Sequence, residues 1–144
     1  MQIKIVAVGR VRDRNLSAKT EDFIKRISHY ASRLEIVEIA DSNVLDEGQK
    51  ILKHFKDQKC NFALGEEGKE YSSREFAQLL QKCDGRALFA IGGPDGLSDS
   101  VKESAQQILS LSRMTFTHEM ARFLLAEQIY RAFSIINNTK YHRD

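Results

Sequence analysis

A chain of 144 residues, 42% hydrophobic and 29% charged, holds enough apolar material for one buried core; this excludes disorder and points to a single domain over residues 1–144. Its 22 basic and 20 acidic residues leave a net charge of +2, so no bulk basic excess marks a nucleic-acid binder, although a local patch can serve that role. Cys60 and Cys83 lack CxxC spacing and read as reduced thiols, the opening Met1-Gln2-Ile3-Lys4-Ile5 is not a signal peptide, and no stretch approaches the ~18 apolar residues of a membrane span, so a soluble, cytoplasmic protein is expected.

In chain order, residues 3–9 are short, β-branched and closed by Gly9, which predicts a strand. Residues 15–33 carry Phe23, Ile24, Ile27 and Tyr30 at helical spacing. Residues 35–39 read as a second strand, residues 44–55 as a helix despite Gly48, and residues 61–64 as a third strand stopped by Gly65. Ser72 and Glu75 have capping-box spacing, predicting a helix from about Ser73 to Lys82. Ala87-Leu88-Phe89-Ala90-Ile91 is the clearest buried strand. A helix is expected over residues 100–109, a short extended or looped piece over residues 111–116, and a last, strong helix over residues 119–135, ended by Asn137-Asn138. Strands alternating with helices imply an α/β fold, with a mostly parallel sheet covered on both faces. Ligands of such sheets sit outside the carboxyl ends of the strands, which selects Leu64-Gly65, Gly92-Gly93 and the segment after Leu111.

The last helix is apolar on nearly every side. Leu125, Ile129, Phe133 and their neighbours fill one broad arc, while Met120 and Leu124 fall among Glu127, Gln128 and Arg131. A sheet covers one face, so the spare surface suits a two-fold homodimer, or a helix central to one compact domain. Arg122 projects into the apolar arc, where it either snorkels to an edge or holds a carboxylate or phosphate bidentately. Glu127 and Arg131 have i,i+4 spacing and read as an exposed structural pair.

Ile91-Gly92-Gly93-Pro94-Asp95-Gly96-Leu97 follows a strand and precedes a helix, as either a tight turn or a ligand loop. It is not GxGxxG, and GK[ST] is absent, so dinucleotide and P-loop readings fail. His29, His54, His118 and His142 are scattered without an HExxH frame, so no metal set is expected; His118 reads as a helix-start residue. Lys140, Tyr141, His142 and Arg143 crowd cations and an aromatic ring into four residues, as a solvated tail or as an RNA contact.

Residues 91–97, Leu109-Ser110-Leu111-Ser112, Met114-Thr115-Phe116, His118, Arg122, Glu127-Gln128-Ile129-Tyr130-Arg131-Ala132 and Tyr141-His142-Arg143 together resemble the large-subunit ribosomal RNA pseudouridine N3-methyltransferases of the SPOUT superfamily. The resemblance extends to Val6, Val8 and Gly9 and to Leu64-x-x-x-Gly68, so it spans the chain. It implies a parallel α/β fold with a deep trefoil knot near the C-terminus. It implies S-adenosylmethionine bound by Leu64, Gly92, Leu111, Ser112, Arg113, Met114, Thr115 and Phe116. It implies a homodimer acting on 23S rRNA within the 70S ribosome, with neither DNA nor membrane as partner. Gly65 departs from the aspartate the family usually carries after the leucine.

On this reading the methyl group passes to N3 of a pseudouridine. Loss of the N3 proton makes that atom nucleophilic, and nearby cations favour the anion. His142 and Arg143 are the candidate cations and Tyr141 the residue that positions the base, acting within one site or across a dimer. The rival readings are a non-catalytic nucleotide- or RNA-binding module, a structural dimerisation domain, and a methyltransferase with another RNA target.

Overall fold

A computed structural model describes residues 1–55 and 60–144. Five strands form one sheet in the order β2-β1-β4-β3-β5: β1 (Gln2–Val8), β2 (Arg33–Ile39), β3 (Asn61–Glu70), β4 (Arg86–Ile91) and β5 (Gln107–Ser110). Every adjacent pair is parallel. The helices are α1 (Arg14–Ile27), α2 (Val44–Leu52), α3 (Ser73–Gln81), α4 (Asp99–Ser104) and α5 (His118–Ile136).

Period-two alternation sorts the strand side chains into two cores. Ile3, Ile5, Ala7, Phe62 and Phe89 point to one face, beneath Ile27 of α1, Phe76 and Leu80 of α3, and Leu125, Ile129 and Phe133 of α5. Val6, Val8, Ala63, Leu88 and Ala90 point to the other, beneath Ile51 of α2 and Val101 of α4. Both faces of the inner strands are therefore dry, which explains why residues 87–91 read as an unbroken apolar run.

Asp13 caps α1 by accepting from the Leu16 amide at 2.9 Å. The predicted capping box of α3 is present with both bonds, Glu75 amide to Ser72 Oγ at 3.1 Å and Ser72 amide to Glu75 Oε2 at 2.8 Å. Among the described residues no helix is long and apolar enough to cross a membrane.

Four expectations need correction. The helix expected over residues 100–109 ends at Ser104, and residues 107–110 form β5 instead. Val101, Ala105 and Ile108 keep helical spacing, but β3 offers an open edge with which Gln107, Ile108 and Leu109 pair. Gly65 does not stop β3, which runs on to Glu70 with its register broken between Leu64 and Lys69, both of which pair with Leu109. Residues 65–68 thus bulge from the sheet, and Gly68 presses on β5 so closely that a Cβ would lie 2.4 Å from the Ile108 carbonyl oxygen. The helix expected to reach residue 33 ends at Ile27, because Arg33 and Leu34 pair with Gln2 and Ile3 of β1. The helix expected to reach Phe55 ends at Leu52.

Arg122 does not snorkel. Its side chain is buried, and its guanidinium donates to Glu38 at 2.6 Å and to the Gly9 carbonyl at 2.8 Å. It holds a carboxylate through one nitrogen only, not bidentately, because the other terminal nitrogen goes to the Gly9 carbonyl.

Candidate active site

The chain leaves β4 toward the face carrying α2 and α4, and leaves β5 toward the face carrying α1, α3 and α5. Loops that diverge in this way open a crevice at the carboxyl ends of parallel strands. A cleft of about 330 Å³ lies there, walled by Leu64 and the bulge residues 65–67 of β3, by residues 91–97 at the end of β4, and by Leu111, Ser112 and residues 114–116 after β5. That volume is within the range of small-molecule sites, roughly 300–1,000 Å³.

Of the residues expected to hold the methyl donor, Leu64, Gly92, Leu111, Ser112, Met114, Thr115 and Phe116 line this one cleft. Arg113 is not among its lining residues; its Nε stands 3.8 Å from Glu70 on the outer surface.

The glycine loop owes its form to itself. Gly96 donates to the Gly93 carbonyl at 3.0 Å, closing a turn over Pro94 and Asp95, and Gly96 has φ +79°. A Cβ on Gly92 would sit 2.6 Å from the Gly96 carbonyl carbon. The segment is a tight turn, and that turn is one wall of the cleft. The opposite wall is tied by Ser110, whose hydroxyl donates to the Ser112 carbonyl at 2.8 Å, while the Met114 amide donates to Ser112 Oγ at 3.0 Å. Met114, 75% exposed, and the partly exposed Phe116 form an apolar rim.

Several lining residues were not singled out from sequence. Glu67 and Lys102 pair at 2.8 Å, and the ammonium holds the Glu67 carboxyl below its ordinary range. The Glu67 carboxylate fills the space a side chain at position 65 would take, since a Cβ on Gly65 would lie 2.6 Å from Glu67 Oε2. His118 opens α5 as expected, capped by Thr117, but it also lines the cleft with Ala121. Its position just after residues 111–116 was the available signal.

Tyr141, His142 and Arg143 do not line the cleft of their own chain. The tail folds back along α5. The Tyr141 hydroxyl donates to Glu127 Oε1 at 3.2 Å, and its ring meets Tyr130 edge-on at 4.7 Å. Burial, then the Glu127 carboxylate, push the Tyr141 phenol above its ordinary range. Arg131 Nη1 lies 3.1 Å from His142 Nδ1, and His142 Nε2 lies 2.9 Å from Asp144, which Arg74 grips at 2.7 Å. Glu127 and Arg131 are therefore not the exposed pair expected from spacing; they are half-buried or deeper and bind the tail to α5.

Cys60 and Cys83 are free and buried. Burial, with Cys60 alongside, pushes the Cys83 thiol up, which makes it a poor nucleophile. Among the described residues no group of three or more His, Cys, Asp and Glu could hold a metal ion.

A family model described as "Predicted SPOUT methyltransferase" matches residues 1–142. The chain is 42% identical over 144 residues to the ribosomal RNA large subunit methyltransferase H of Prochlorococcus marinus, covering 99% of this chain and 97% of that protein. It is 38% identical over 157 residues to the protein of the same name from Porphyromonas gingivalis, covering 100% of both. In structure it resembles a probable methylase family protein from Haemophilus influenzae, with a TM-score of 0.62 at 13% identity over 99% of this chain and 70% of that one. A probable methyltransferase from Bordetella pertussis gives a TM-score of 0.56 at 12% identity over 91% of this chain and 95% of the other. A cleft built from three loops at the carboxyl end of a parallel sheet, in a chain matched along almost its whole length, places this protein in the SPOUT methyltransferase family.

Proposed function

We propose that this chain methylates large-subunit ribosomal RNA, placing a methyl group from S-adenosylmethionine on N3 of a pseudouridine in 23S rRNA of the assembled 70S ribosome, as a cytoplasmic homodimer. The observation that carries the reading is the convergence of the bulge of β3 and the loops after β4 and β5 on one cleft, in a chain whose full-length relatives are named for ribosomal RNA large subunit methylation. The reading includes a deep trefoil knot. Its support is the course of the chain after edge strand β5, which passes beside the loops of β3 and β4 before α5 packs against α1 and α3.

The cleft's chemistry fits the methyl donor. Leu64, Ile91, Leu97 and Leu111 offer apolar surface for an adenine ring, and Glu66 and Asp95 offer carboxylates for a ribose diol and a cationic tail. S-adenosylmethionine supplies an electrophilic methyl on a sulfonium. The protein's part is to hold both reactants in line, which supplies much of the rate.

Tyr141, His142 and Arg143 are assigned to the acceptor side. Because they lie off the cleft of their own chain, they are assigned to the cleft of a second copy. Apolar surface left on α5 and its approach supports that pairing: Met114, Phe116 and Met120 remain exposed on one chain. Arg143 is exposed, and its positive charge near the base would favour loss of the N3 proton.

Transfer of labelled methyl from S-adenosylmethionine to intact 70S ribosomes, separated subunits and naked 23S rRNA tests the proposal. Transfer to intact ribosomes, mapped to N3 of a pseudouridine, is the expected result. No transfer, or equal transfer to naked RNA, would overturn it.

A further inference from the structure

The first turn of α5 has two sides. On one, His118 and Ala121 line the cleft. On the other, Glu119 and Arg122 hold the loop between β1 and α1. Glu119 Oε1 accepts from the Arg12 amide at 2.8 Å and the Asp13 amide at 3.1 Å, and Arg122 donates to the Gly9 carbonyl at 2.8 Å. Gly9 itself turns with φ +80° beside the cleft residue His118; a Cβ there would lie 3.6 Å from the His118 ring nitrogen and 3.1 Å from Asp41. The backbone of this loop is thus fixed relative to the cleft.

This loop carries Arg10 and Arg12, and α1 opens on Arg14; all three are exposed. Other arginines of the chain, among them Arg26, Arg33, Arg74 and Arg131, have a carboxylate within 4 Å. No such ion pair forms at Arg10, Arg12 or Arg14 among the described residues; Glu21 shares a surface cavity with Arg10, and three other nearby carboxylates are engaged elsewhere. Asp13 caps α1, Glu38 binds Arg122, and Glu119 binds the loop amides. The charge also works against the helix it precedes. Arg14 sits in the first turn of α1, which holds no acidic residue, although the positive end of a helix favours acids there. Three unpaired cations on a braced backbone, at an electrostatically adverse position, serve an external anion better than they serve the fold.

We infer that Arg10, Arg12 and Arg14 form a phosphate-contacting surface that holds the backbone of the target RNA beside the cleft. This rests on the reading of the protein as an RNA methyltransferase. Cations at alternate sequence positions can meet several phosphates of a phosphodiester chain, and such contacts fix register without reading sequence. They also place a strong local field on a chain whose net charge is only +2.

The test is the full-length triple variant Arg10→Gln, Arg12→Gln, Arg14→Gln, beside Arg86→Gln, which removes an exposed arginine at the opposite, amino end of β4. Methyl transfer to 70S ribosomes, co-sedimentation with ribosomes, S-adenosylmethionine calorimetry and thermal melting are read in parallel. The triple variant is expected to raise KM for ribosomes about 10-fold or more. It keeps donor affinity and melting temperature, and flattens the log–log salt dependence of ribosome binding by roughly 2, at about 0.7 per phosphate contact. Arg86→Gln should behave as wild type. The inference is overturned if ribosome affinity of the triple variant stays within twofold of wild type, if Arg86→Gln weakens it equally, or if donor binding or melting falls with it. Co-sedimentation reads the arginines independently of catalysis, so an inactive wild type would sink the assignment of activity and leave this test standing.

Discussion

Arg131 Nη1 stands 3.1 Å from His142 Nδ1. A guanidinium can only donate, so Nδ1 accepts and, in the neutral ring, the hydrogen sits on Nε2, where it meets Asp144 Oδ1 at 2.9 Å. Two residues eleven positions apart thus set both the tautomer of His142 and the path of the tail along α5.

The tail is expected to act on the acceptor and not on the donor. His142→Ala and Arg143→Ala should each lower kcat for ribosome methylation by about 100-fold or more, the scale of one lost proton-transfer or charge-stabilising group. Donor affinity by calorimetry should stay at the wild-type value. Parallel loss of both would show that the tail supports the cleft structurally.

Arg131→Ala should release the tail. It leaves Glu127 and His142 without their shared partner, which costs about 1–3 kcal/mol when such groups are buried. Urea denaturation measures the stability, and faster proteolysis of the last residues reports the release. Unchanged stability and protection would place the tail's anchorage elsewhere.

Gly92→Val should abolish donor binding in calorimetry, because its Cβ would lie 2.6 Å from backbone that cannot yield. Gly93→Ala is milder, its Cβ meeting a Val8 methyl at 3.1 Å. Gly96→Ala strains a left-handed residue by about 1–3 kcal/mol while touching nothing. Donor affinity should therefore fall most for Gly92→Val. Wild-type affinity in that variant would remove the loop from the donor site.

Arg74, then His142, hold the Asp144 carboxyl down to about 2. A depressed folded-state value means the contact's contribution is fully present above the unfolded carboxyl's range, about 3.9, and is lost as pH falls toward 2. An NMR titration of Asp144 should have its midpoint near 2, moving toward the ordinary range in Arg74→Gln. The same midpoint in both proteins would deny Arg74 its role.

Local signals determined much of the protein. Apolar alternation in residues 3–8 and 87–91, the Ser72/Glu75 capping box and the long apolar helix are properties of short segments, and each has its expected element in the fold. The rule that ligands sit at the carboxyl ends of parallel strands selects Leu64-Gly65, Gly92-Gly93 and the segment after Leu111, and those three places share one cleft. Tertiary structure decided what depends on partners distant in sequence. Ile108 fits a helix or a strand by spacing alone, and the open edge of β3 made it a strand. Spacing put Arg122 in the apolar arc, and only the fold buried it and placed Glu38 and the Gly9 carbonyl at its two terminal nitrogens. The filling of Gly65's space by Glu67, the bracing of Arg12 by Glu119 and the anchoring of His142 by Arg131 join residues through space. Spacing along a chain records which face a residue occupies; it does not record what the rest of the molecule brings to that face.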